Sequence, residues 1–235
     1  MLCLYTGTPG SGKSLHAAKL MRDRLRWAKC PVIANFDVSH EVKGYADWFH
    51  YVPNHELTPA FLREFALDYW DGRKPREDEI ILVVDEAQLL FNSRDWQQKD
   101  RMSWVEFLSQ HRHFGYYVVF MTQTDRMLDR QIRALAEFEF NHRKVSSFGF
   151  LGKLASVLLL GHQLFVCVRT YHGLTGKAAS LGSSFIVGTK SLYAFYDSYS
   201  TFERVEGERE GGDVRGPAER APSARSEVVR MPQSA

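Results

Sequence analysis

Eight residues near the start of the chain, Gly7-Thr8-Pro9-Gly10-Ser11-Gly12-Lys13-Ser14, constrain its fold more than any other stretch, because they follow directly on the apolar run Leu2-Cys3-Leu4-Tyr5. They fit G-x-x-x-x-G-K-[ST], the phosphate-binding loop that joins a buried strand to the start of a helix. A triphosphate has to be met by backbone N–H groups from several sides, so Gly10 and Gly12 omit the Cβ atoms that would block it. Lys13 then supplies a point charge to the outer phosphates and Ser14 a hydroxyl for Mg²⁺. A helix starting at about Lys13 turns its positive end toward the anion. A ligand-free Gly/Pro-rich turn is the competing reading, and the strand before and helix after the loop argue against it.

The remainder alternates helical and strand patterns. Ala17, Leu20, Met21, Leu25 and Ala28 recur at helical spacing opposite Lys19, Arg22 and Arg26, and Pro31 to Phe36 reads as a short β-branched strand. Asp37 to Leu57 shows no period and is expected to be irregular. Thr58-Pro59 is an N-cap followed by a first helical residue, opening a helix to Trp70, and Asp71 to Glu79 is a charged turn. Ile80-Ile81-Leu82-Val83-Val84 is a continuous apolar run, the signature of a parallel strand buried on both faces, and it ends in Asp85-Glu86. Past a polar loop, Phe91 to Asp100, a helix marked by Met102, Val105 and Leu108 ends in Gln110-His111-Arg112-His113-Phe114-Gly115. Tyr116 to Met121 is a further buried strand stopping at Thr122-Gln123. Asp125 is expected to cap one helix through about Ala136, and Phe138 to Val145 to be the last strand of the core.

This order predicts an α/β phosphate-loop NTPase fold, a mainly parallel sheet flanked by helices, over residues 1–146. Residues 147–203 read as a small β-containing appendage packed on that core, with β-like runs at Gln163 to Tyr171 and Ser191 to Tyr199. From about residue 204 the chain is Glu-, Arg-, Gly-, Pro- and Ser-rich and is expected to be disordered, since it cannot bury enough surface to offset chain entropy.

Acids at the carboxyl end of a buried strand sit at the ligand-binding edge of an open α/β sheet. Asp85 is therefore the expected second holder of Mg²⁺ beside Ser14, and Glu86 the base that polarises an attacking water, which favours hydrolysis over transfer to a second metabolite. Gln123, at the end of the next strand, is placed either to orient the γ-phosphate or water, or only to terminate the strand; Thr122 is the weaker choice. Arg112, ahead of Arg94, Arg130 and Arg133, is the candidate for a finger reaching a neighbouring subunit's site, although solvated helix faces also carry arginine. Arg126, Arg130, Arg133, Arg143 and Lys144 form either a basic edge for nucleic acid or lipid, or a solvated face, and the lack of interleaved aromatics favours the solvated face. His111 and His113 have no further ligand at zinc-like spacing nearby.

Bulk properties exclude little. The 235 residues carry a formal charge of only +2, so no class of partner is favoured by charge alone. The 3 cysteines, Cys3, Cys30 and Cys167, are odd in number and widely spaced, as in buried thiols of a reducing cytosol. The phosphate loop begins too early for a secretory signal, and Leu154 to Val168, broken by Gly161, His162 and Gln163, falls short of the about 18 uninterrupted apolar residues of a membrane span.

Taken together, Thr6 to Ser14, Val83-Val84-Asp85-Glu86-Ala87-Gln88, His111-Arg112-His113-Phe114-Gly115, Thr122-Gln123 and Leu128-Asp129-Arg130-Gln131-Ile132-Arg133 resemble the zonular occludens toxin (Zot) N-terminal domain family, over about Leu2 to Glu203. That family includes the filamentous-phage assembly ATPases. The resemblance implies an ATP-hydrolysing motor on the cytoplasmic face of the host bacterial inner membrane, assembling and exporting phage. It implies ATP and Mg²⁺ as ligands, with Lys13 and Ser14 on phosphate and metal, Asp85 completing the metal site and Glu86 as base. The implied partners are further copies in a ring, phage coat protein with single-stranded phage DNA, and an inner-membrane protein. Phage-assembly members usually continue into a transmembrane helix, whereas this sequence continues into the polar tail. A small-molecule kinase, whose loops share Gly-x-Pro-Gly-Ser-Gly-Lys, and a non-catalytic nucleotide-binding, toxin-like or scaffold module are the alternatives.

Overall fold

Strand β1, Leu2–Thr6, is buried along its whole length, as expected of a strand with parallel neighbours on both sides. A computed structural model describes residues 1–92, 100–147, 163–174 and 179–196. Arg94, the apolar stretch up to residue 162, and the polar tail lie outside these residues. Along the described chain come α1 (Lys13–Asp23), β2 (Val32–Ala34), α2 (Tyr45–Trp48), β3 (Phe49–Tyr51), α3 (Pro59–Trp70), β4 (Ile80–Val84), α4 (Arg101–Gln110), β5 (Tyr116–Met121), α5 (Arg130–Ala134), β6 (Phe138–Lys144), β7 (Gln163–Tyr171), β8 (Ser180–Gly188) and α6 (Lys190–Phe195). Among these residues no helix is long and apolar enough to cross a membrane.

The strands form one 8-stranded sheet in the order β3-β2-β4-β5-β1-β6-β7-β8. β3 to β6 in that spatial order are parallel, and β7 and β8 add to the β6 edge as antiparallel strands. Met1 to Asp197 make a single compact unit, so the strands after residue 147 continue the same sheet.

Alternation along the central strands sorts side chains to two faces. Leu2, Leu4, Leu82, Val84, Val118 and Phe120 meet Leu62 and Ala66 of α3, Phe107 and Leu108 of α4, and Ile132 of α5. Cys3, Tyr5, Ile81, Val83, Val119 and Met121 meet Ala17, Ala18 and Met21 of α1 and Phe195 of α6. Helices thus cover both faces, the arrangement that a mainly parallel sheet of continuous apolar runs requires. The α/β fold and the parallel core read from the sequence are both present.

Local signals held where a side chain closes a backbone group. The Thr58 hydroxyl accepts the Phe61 N–H at 3.1 Å with Pro59 at the first helical position, and α3 ends at Asp71 in the left-handed region, φ 41°. Three expectations need correction. Asp125 does not cap one long helix: Asp125–Met127 is a single 3₁₀ turn and Leu128 is extended. α5 starts anew where Asp129 Oδ1 accepts the N–H groups of Gln131, 2.8 Å, and Ile132, 3.3 Å. Ser191 to Tyr199 is not a strand as far as Tyr196: Lys190–Phe195 is helical, because Leu192 and Phe195, three apart, are both buried on one side. The strand is instead Ser180–Gly188, whose Gly and Ser content hides it. Finally, the aperiodic segment after Asp37 contains the edge strand β3, too short at 3 residues to show alternation.

Candidate active site

Strand register brings the sequence motifs to one place. Leu4 of β1 pairs with Phe120 of β5, and Phe120 pairs with Val84 of β4. All three strands run the same way, so the loop after β1, Asp85 after β4 and Gln123 after β5 leave the sheet at one carboxyl edge, where open α/β sheets bind their ligands. β5 lies between the other two, which sets Gln123 between the loop and the acids.

The loop is closed by its own backbone. Ser11 N–H donates to Thr8 O at 3.1 Å, Gly7 N–H donates to Gln123 O at 3.2 Å, and Gly12 leads into α1. Gly7 has φ 143°, and a Cβ there would lie 2.5 Å from His142 O on β6 and 2.6 Å from Ser11 Oγ. Gly10 has φ 71° with nothing within 4 Å of the same position. Gly7→Ala is therefore expected to cost about 2 kcal/mol of stability, since backbone must move. Gly10→Ala costs less, and urea denaturation of the two variants checks the order.

Lys13 Nζ folds back over the loop, donating to Gly7 O at 2.8 Å and Thr8 O at 3.3 Å. Partial burial lowers its pKa, opposed by the charges of Asp85 and Glu86. Ser11 Oγ is buried without a partner inside the loop. Thr8, Pro9 and Gly10 line the outer wall of a cleft of about 500 Å³ together with Gln123 and, from β6, Asn141, Arg143 and Lys144.

Asp85 is held from every side. Its N–H donates to Asn35 Oδ1 at 2.7 Å and its carbonyl accepts Asn35 Nδ2 at 2.9 Å. One carboxylate oxygen accepts the Glu86 N–H at 2.8 Å and the other accepts the Tyr196 hydroxyl at 2.8 Å. Burial raises its pKa, while the bonds from Tyr196 and Glu86 N–H pull it down. Ser14 stands in the first turn of α1, directly after Lys13. Glu86 is exposed with its backbone in the left-handed region, φ 46°, and its carboxylate accepts from the Gln88 amide.

Other candidates sit elsewhere. Arg112 precedes β5 and pairs with Glu137, which precedes β6, so it lies at the amino edge, opposite the loop of its own chain. Arg133 pairs with Asp125 at 3.4 Å, while Arg126 and Arg130 are exposed. Thr122 is buried and donates to Thr124 O at 3.2 Å. His111 is buried and its Nδ1–H donates to Leu108 O at 2.6 Å, stabilising the turn before β5, and burial lowers its pKa.

Sequence reasoning missed Asn35, Tyr196, the β6 wall of the cleft and a buried polar cluster beneath the loop. In that cluster His142 Nδ1–H donates to Thr6 O at 3.2 Å, and His142 Nε2 lies 2.8 Å from His16 Nδ1. Cys167 of β7, paired with His142 in the sheet register, has its sulfur in the same group. The three residues are separated by 126 and 25 positions, so no spacing betrays them. A β6 residue paired with Thr6 was foreseeable only after strand order was known.

Comparison with known proteins shows the family and the fold. The family model of zonular occludens toxin (Zot) matches residues 1–201. The Gene 1 protein of Escherichia phage If1 is 28% identical over 209 residues, covering 85% of this chain and 58% of that protein. The Gene 1 protein of Enterobacteria phage I2-2 is 30% identical over 215 residues, covering 85% of this chain and 56% of that protein. The chain thus spans less than three fifths of the length of these relatives. Among solved structures, the N-terminal domain of zonular occludens toxin from Neisseria meningitidis superposes with a TM-score of 0.50 at 21% identity, over 83% of this chain and 98% of that one. Matched by the family model over residues 1–201, the chain belongs to the zonular occludens toxin (Zot) family.

Proposed function

We propose that the chain binds ATP with Mg²⁺, hydrolyses it, and uses the energy as a motor in assembly and export of filamentous phage. The observation that carries the chemistry is the convergence of Lys13, Asp85, Glu86 and Gln123 at one sheet edge, set by the pairing of β1, β5 and β4. The site also fits a phosphate. A buried Ser11 hydroxyl lacks a partner, and the ammonium of Lys13 is held by loop carbonyls, not by a carboxylate.

In this reading the loop N–H groups and Lys13 bind the phosphates, and Ser14 and Asp85 hold the metal. Bound Mg²⁺ supplies neutralising charge to the phosphate oxygens. Glu86, exposed beside Asp85, takes a proton from water as the water attacks, and Gln123 orients that water. Products are ADP and phosphate, so no second substrate is needed.

Family membership and the phage relatives support the motor reading, with further copies in a ring, coat protein with single-stranded DNA, and an inner-membrane protein as partners at the cytoplasmic face. Arg112 serves as a finger only by exchanging its Glu137 partner for another copy's nucleotide.

Phosphate release from ATP with no acceptor present, measured beside sedimentation with and without nucleotide, tests the proposal. Continuous turnover and nucleotide-dependent assembly are expected. Turnover only with an added acceptor would favour a kinase, and binding without turnover a non-catalytic module.

A further inference from the structure

Resting on the Mg²⁺–nucleotide reading above, we propose that Tyr196 is a positioning residue for the metal: its hydroxyl fixes the Asp85 carboxylate in the orientation that receives the ion beside Ser14. The residue arrives from the far end of the described chain. α6 is tied down by Phe195, buried at 2% exposure, whose carbonyl accepts the Ser39 N–H at 3.0 Å. The next residue therefore enters the site on a fixed stem, with its ring edge-on to Phe36 at 5.1 Å.

The carboxylate of Asp85 has two oxygens and two donors. Oδ1 takes the Glu86 N–H, a backbone group that any residue at 86 supplies, and Oδ2 takes the Tyr196 hydroxyl at 2.8 Å. Remove the hydroxyl and the carboxylate keeps a single anchor, free to rotate about it. Hydrogen-bonding partners of metal-ligating carboxylates typically contribute 10–100-fold in metal affinity. Asn35 fixes the Asp85 backbone but touches neither carboxylate oxygen, so it cannot replace this contact. One consequence concerns organisation: the site as a whole needs residue 196, and residues 1–146 lack part of it.

The test is Tyr196→Phe, which keeps the ring on Phe36 and removes only the hydroxyl. Binding of a fluorescent ATP analogue is titrated in EDTA and over a Mg²⁺ series, with no hydrolysis needed. The expected result is about a tenfold rise in the Mg²⁺ concentration for half-maximal enhancement of binding, with affinity in EDTA unchanged. An equal loss with and without Mg²⁺ would mark Tyr196 as merely structural and overturn the proposal. So would an unchanged Mg²⁺ midpoint, or a lowered one, which would make the phenol a competitor of the ion. If the unmodified chain binds no nucleotide under any condition, the Mg²⁺–ATP reading itself fails and takes this proposal with it.

Discussion

Lys13→Ala is expected to lower ATP turnover by about 10²–10³-fold, the typical loss when a single group stabilising transition-state charge is removed from an enclosed site. The ammonium is held 2.8 Å from Gly7 O and 3.3 Å from Thr8 O, at the loop that meets the phosphates in this reading. Partial burial with a lowered pKa means that it gains most when an anion replaces those carbonyls. Its loss should weaken nucleotide binding as well as turnover. Glu86→Gln separates the two effects. The amide keeps the size of the side chain but cannot accept a proton, so turnover should fall by a similar factor while binding stays within about twofold. Phosphate release and binding of a fluorescent ATP analogue, measured on both variants, read the pair. Turnover preserved in Glu86→Gln would place the base elsewhere.

The contrast between those residues and Tyr196 shows which parts of the site were legible in sequence. Gly7 to Ser14 and Asp85-Glu86 could be read because each is local: a strand end and a turn must carry those residue types in that order. Gln123 could be placed because Tyr116–Met121 is buried at every position and ends just before it. Tyr196, Asn35 and His142 are brought in by tertiary pairing over separations of 111, 50 and 136 residues, which leaves no periodic trace. Helices were legible where apolar spacing was long, as in α1 and α3. They were misread where they are short, as in α5 and α6, because one cap or one pair of buried side chains decides a helix of 5 or 6 residues. β8 was hidden for a different reason: five of its nine residues, Ser180, Gly182, Ser183, Ser184 and Gly188, are of types that strands disfavour or tolerate only by context.

Lowering the pH from 7.5 to 5 should destabilise the fold by about 4 kcal/mol through His16 and His142, a large share of the 5–15 kcal/mol typical of a domain. Burial pushes the His16 pKa down to about 3 and that of His142 to about 4, and Lys19 beside His16 and Lys13 beside His142 add to the shift. The unfolded chain protonates both near 6.5, so below that pH it binds more protons than the folded one. The stability is therefore fully present above about pH 6.5 and is lost as pH falls toward the folded values, about 2 kcal/mol for each histidine at pH 5. Carboxylates with lowered pKa, Glu139 beside His172 and Asp37 beside His40 and Tyr45, add their own losses only at lower pH. His16→Phe tests the assignment, because Phe can keep the stacking on Tyr5, 4.8 Å between ring centres, yet cannot titrate. Urea denaturation at the two pH values should show the acid loss cut by about half, with some stability given up at pH 7.5 because His142 loses its partner. An unaltered acid loss in this variant would move the titration to other groups. The pair also ties acid sensitivity to the phosphate loop, since His142 donates to Thr6 O at 3.2 Å and its own carbonyl packs against Gly7. In the folded chain His142 takes up a proton only as the pH nears about 4, and that proton ends its role as acceptor for His16.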